Sequence, residues 1–202
     1  NYKILDLDNY IPKKLIDKVY DDLSKKLDKK YHYHNLYHTK RVVNSAIKIG
    51  SHYDLSKNEW EVLLASCLLH DYAFLDTHID HEEKGAVIAK EILPDYGYND
   101  EDIKTIQSLI IITKVEAKPH NLLESIIRDA DLEYLGSSDF EKISEYLKKE
   151  WLECGVVKDD NHFYEIQLKF LNIHKFYTDH MQKDGKEWKE KNMDYAKRVA
   201  GL

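Results

Sequence analysis

The strongest constraint on this chain is an apolar run that stops on two groups able to carry charge. Val62 to Leu69 leads without a break into His70-Asp71. Buried chain rarely ends on two adjacent groups that need water or a metal. Left unpaired, each would carry a desolvation cost of roughly several kcal/mol. A divalent cation removes that cost by giving both one shared partner; a helix-terminal capping pair is the plainer alternative. His38 upstream and Asp131 downstream, each in its own apolar context, favour the cation.

At 202 residues and 43% hydrophobic composition, the chain suits one domain with a sizeable core. Seven glycines and three prolines are few for that length, which favours long helices over turn-rich β architecture. The net charge of −7 gives no bulk attraction to a nucleic-acid polymer or an anionic membrane. Small anionic substrates remain compatible if a cation and local basic residues invert the field. Cys67 and Cys154 are too few for a disulfide framework and read as free thiols in a reducing cytoplasm. Asn1 to Tyr10 is mixed and acidic, unlike a signal peptide. No apolar run approaches the roughly 20 residues that span a bilayer.

Helical spacing recurs along the chain. Leu15, Val19, Leu23 and Leu27 follow Pro12 at intervals of four, predicting an amphipathic helix to about Lys30. Val42, Val43, Ala46, Ile47 and Ile49 give a second, ending near Gly50. Ser56 and Glu59 have capping-box spacing and open a third, which closes at the His-Asp pair. Further helices are expected at His81–Leu93, Ile103–Thr113 and Leu122–Leu135. Three more follow: one from a cap at Ser137 or Ser138, one through Tyr164 to Phe176, and one from Trp188 to Val199. The expectation is a single all-α domain of about eight or nine helices. Its motif-bearing core lies at about 33–136, with helices 137–202 packed on it.

His38, His70, Asp71 and Asp131 form a hard-to-borderline ligand set that suits one Mn, Fe, Co, Zn or Mg ion with room for water. They sit on three different expected helices. Only a bundle can bring them together, as facing helices commonly do at metal sites. Asp129 rivals Asp131, but two residues apart on a helix they point to different sides.

This H…HD…D order in an all-helical chain resembles the HD-domain superfamily of metal-dependent phosphohydrolases. The resemblance covers about 33–136. It rests on Tyr33-His34-Asn35-Leu36-Tyr37-His38, on Cys67-Leu68-Leu69-His70-Asp71, and on Arg128-Asp129-Ala130-Asp131-Leu132 with Leu135-Gly136. It implies an HD-type helical bundle that hydrolyses a phosphoester, most often of a nucleotide, with the four residues above as metal ligands.

By the same resemblance, His34 would act as general acid for the leaving oxygen, Asp71 would share in the catalysis, and His81 would supply a further site contact. In a helix, His34 would share a face with His38, four residues on; packing among Tyr31, Tyr33 and Tyr37 is the plainer reading. Dinuclear members use a later histidine where this chain has Ile110-Ile111-Ile112-Thr113, which favours one metal. Phosphate needs further cations, and Lys114, Lys118, Arg128 and Arg41 are the expected contacts, with Glu82 or Asp76 orienting water. A cluster of aromatics in the C-terminal third reads mainly as core. Two other readings stand beside hydrolysis: a di-iron oxygenase on the same scaffold, and a non-catalytic nucleotide-binding module. The expected partner is a small phosphoester; homodimerisation is left open.

Overall fold

The computed structural model describes residues 5–202, so the first four residues of the Asn1–Tyr10 stretch lie outside the described residues. Among the described residues there are ten α-helices and no β-strand. No helix is long and apolar enough to cross a membrane. The chain forms two compact units.

The first unit takes the described residues up to Asp28 and His34–Asp131. It contains α1 (Lys13–Lys25), α2 (Leu36–Gly50), α3 (Lys57–Leu69), α4 (His81–Ile92), α5 (Asp100–Ile111) and α6 (Leu122–Asp131). α3 is the axis. Every residue from Val62 to Leu69 is buried, because α2, α5 and α6 pack around it. A helix enclosed on all sides has no polar stripe, hence the unbroken apolar run in the sequence. Its start is the expected capping box: Ser56 accepts from the Glu59 N–H at 3.1 Å, and Glu59 accepts from the Ser56 N–H at 2.8 Å.

The other boundaries follow local chemistry. α1 stops at Lys25, short of the expected Lys30, and leaves Leu27 half-buried. Asn99 caps α5 by accepting from the Asp102 N–H at 2.8 Å. α6 ends at Asp131, and a 3-10 turn at Glu133–Gly136 replaces the rest of the expected helix.

The second unit takes Lys29–Tyr33 and Leu132–Leu202. It contains α7 (Phe140–Glu153), α8 (Asp160–Ile173), α9 (Asp179–Asp184) and α10 (Lys186–Val199). Asp139, not Ser137 or Ser138, holds the N-cap position of α7, and Ser137 accepts from the Asp139 N–H at 3.2 Å. α8 is capped by Asp159 and ends before Phe176. The six-residue α9 was not expected: Thr178 caps it through the Met181 N–H at 3.2 Å. Glycines let backbone meet backbone here. A Cβ on Gly136 would lie 2.8 Å from the Gly185 Cα. Buried Glu150 on α7 accepts the Tyr33 N–H at 3.1 Å, which ties the 29–33 segment to this unit.

Candidate metal centre

Three elements of the first unit converge on one point. His38 lies in the first turn of α2, which Asn35 starts by accepting the N–H groups of Tyr37 and His38. His70 caps the C-terminal end of α3, Asp71 follows it, and Asp131 is the last residue of α6. His38 Nε2 stands 3.3 Å from His70 Nε2, 3.3 Å from Asp71 Oδ2 and 3.1 Å from Asp131 Oδ1. His70 Nε2 stands 3.1 Å from the same Asp71 oxygen and 3.3 Å from the same Asp131 oxygen.

Those separations test whether a cation fits. Donors about 2.0–2.2 Å from a shared ion stand roughly 3.0–3.5 Å from one another in octahedral or tetrahedral arrangement. The observed 3.1–3.3 Å falls within that range. The lone pairs point the same way. His70 Nδ1–H donates to the Cys67 carbonyl at 2.7 Å, which fixes the tautomer and leaves Nε2 to ligate. Asp71 Oδ2 is buried and in hydrogen-bond line with no partner.

Without a cation, protons take its place. Burial disfavours an imidazolium at His38 and His70, but the adjoining Asp71 and Asp131 carboxylates outweigh it. Both imidazoles are therefore raised, His70 well above its ordinary range. Burial likewise opposes charge on Asp71 and Asp131, yet the histidines pull both carboxyls down. A pocket that concentrates this much negative charge on ligand atoms is suited to a divalent ion.

The whole structure is similar to a crystal structure from an uncultured Thermotogales bacterium, described as a predicted HD superfamily hydrolase. The match has a TM-score of 0.62 at 20% identity, over 93% of this chain and 90% of that one. The chain has the HD-domain fold. At this identity the likeness is one of fold. No protein-family model and no curated protein matches the sequence.

Within the HD fold, the remaining expected residues separate into those beside the cluster and those occupied elsewhere. His81 opens α4, with Nε2 3.4 Å from Asp71 Oδ1. Asp71 thus turns one oxygen to His38 and His70 and the other to His81. Burial lowers the His81 imidazole, and its hydrogen bond to Asp71 more than reverses that. His34 precedes the Asn35 cap and is not helical, so it shares no helix face with His38. It nevertheless reaches the cluster: its ring lies 5.8 Å from the His38 ring and 6.2 Å from that of His81.

The expected phosphate contacts fare differently. Arg128 is 6% exposed. Its guanidinium donates to the main-chain carbonyls of Ile112, Lys114 and Val115. It closes the loop between α5 and α6. Lys114 pairs with Glu83 on α4. Lys118 is exposed in the loop after α5, and Arg41 is half-buried one turn beyond His38. Of the two carboxylates expected to orient water, Glu82 lies 3.4 Å from His81 Nε2, and Asp76 is exposed. Where a further histidine would be needed, the chain just after α5 offers buried Ile112 and Thr113, whose hydroxyl donates to the Ile110 carbonyl.

Two features gave no sequence signal. Phe74, in the 3-10 turn Tyr72–Leu75, stacks on His34. The hydroxyl of Tyr72 in the same turn donates to the buried Asp22 carboxylate of α1. An aromatic in a short connection looks like any other core residue until the histidines are placed.

Proposed function

We propose that this chain is a metal-dependent phosphohydrolase acting on a small phosphoester, a nucleotide or a related molecule. The observation that carries this reading is the convergence of His38, His70, Asp71 and Asp131 at ligand spacing. A divalent cation bound there supplies Lewis acidity toward a phosphoryl oxygen and acidifies water at neutral pH. His38, His70, Asp71 and Asp131 would hold it, with the Cys67 carbonyl keeping the His70 ring in register. The second oxygen of Asp71 would at the same time orient His81. His34, beside His38 yet outside the four donor atoms, would give a proton to the leaving oxygen, a role worth roughly 100-fold or more.

The test is a panel of phosphomonoesters and phosphodiesters with stripped protein reloaded with Mn, Fe, Co, Zn or Mg. Product release is expected with at least one metal. His70→Ala and Asp71→Ala should each lose bound metal and turnover together. Turnover that persists in a metal-free double variant, or none by the native chain with any metal, would overturn the reading.

A further inference from the structure

We propose that Phe74 is a positioning residue. Its ring holds His34 and His81 in place beside the metal cluster and so sets how well the leaving oxygen is protonated. The inference rests on the hydrolase reading above and goes one residue beyond it.

Phe74 is buried. One imidazole lies flat on its ring: the His34 centroid is 4.3 Å away and the planes are 11° apart. The His81 ring meets it at 4.5 Å and 54°. These two histidines come from separate elements, the segment before α2 and the start of α4. Phe74 touches both.

That contact sets the plane of the His34 ring. His34 precedes the helix, so no helical turn fixes its side chain. A flat stack resists rotation of the imidazole, because turning the ring breaks contact over the whole face. An aliphatic side chain would fill the space without setting a plane. The turn that carries Phe74 is itself anchored at its start by two bonds. The Phe74 N–H donates to the Asp71 carbonyl at 3.0 Å, so the ring is registered to a metal-cluster residue three positions earlier. Tyr72 is tied to Asp22 on α1. α4 is pressed close as well: a Cβ on Gly85 would lie 3.7 Å from the His70 carbonyl oxygen and 3.3 Å from Ile110. His81 is thereby kept within reach of the same ring.

The test compares substrates that differ only in leaving group: phenyl phosphate against para-nitrophenyl phosphate, and the same pair as esters of thymidine monophosphate. The better leaving group departs without a proton and does not need His34. In metal-loaded protein, Phe74→Leu should lower kcat on the phenyl esters by roughly tenfold to a hundredfold, with KM and the para-nitrophenyl rates little changed. Phe74→Tyr, which keeps the ring, should retain most of the phenyl-ester rate. Bound metal should be unchanged in both. Phe74→Met fills the space flexibly and replaces Phe74→Leu if that variant does not fold. Equal loss on both leaving groups, loss of bound metal, or a Tyr variant no better than Leu would overturn the inference while leaving the hydrolase reading intact. No hydrolysis by the unaltered protein would overturn both.

Discussion

Asp80 shows how closely α4 is steered toward the cluster. Among the described residues it is the non-glycine residue with positive φ, at 52°, and it immediately precedes His81. The left-handed conformation costs most L-residues about 1–2 kcal/mol, and aspartate less, because its short side chain tolerates it. The chain accepts this bend to bring His81 in toward Asp71. Asp80→Val should therefore destabilise the protein by about 1–2 kcal/mol, with Asp80→Gly neutral or mildly stabilising. Chemical unfolding of the two variants checks the ordering, and equal stability would contradict it. Residues of this kind are where the sequence runs out. His70-Asp71 announces itself because an apolar run cannot end on two such groups without a reason. Arg128 and Lys114 announce nothing, since a lysine or arginine reads alike whether it meets phosphate, a carbonyl or a glutamate. Only the folded positions of Ile112, Val115 and Glu83 decide between them.

At the scale of elements, the short turn after α3 depends on α1. Buried Asp22 accepts from Tyr72, and Lys26 and Lys18 pair with the same carboxylate at 2.7 and 3.1 Å. The hydrogen bond from Lys26, then that from Tyr72, outweigh burial and hold the Asp22 carboxyl well below its usual range. A depressed folded value stabilises above the unfolded carboxylate pKa of about 3.9, and that stabilisation is lost as pH falls through the folded value. Asp22→Asn should cost roughly 1–3 kcal/mol at pH near 7. The gap from the native chain should narrow steadily below pH about 4, where the unfolded chain takes up a proton at this carboxylate while the folded one still resists it. Denaturant melts across pH check this, and a gap that stays constant into acid would contradict it. α1 itself was legible from its four-residue spacing. Its tie to Tyr72 was not, because a polar residue on an amphipathic helix ordinarily faces water and Asp22 does not.

For the whole molecule, periodicity and the scarcity of glycine and proline made the all-helical architecture legible. α3 could be recognised by its missing polar stripe. α9 could not, since six residues are too few to show a period. The similarity in fold to the Thermotogales hydrolase structure at 20% identity fits this picture. Helical pattern persists when most side chains differ. The convergence of His38, His70, Asp71 and Asp131 was legible for a different reason: polar groups from three distant stretches, each at the edge of an apolar segment, have little use unless the fold joins them.

The most direct measurement of that junction is an anomalous difference map from crystals of the native chain grown with manganese. The account predicts a peak at bonding distance, about 2.0–2.3 Å, from His38 Nε2, His70 Nε2, Asp71 Oδ2 and Asp131 Oδ1. Its absence there, with the four side chains hydrogen-bonded only to one another, would contradict the account.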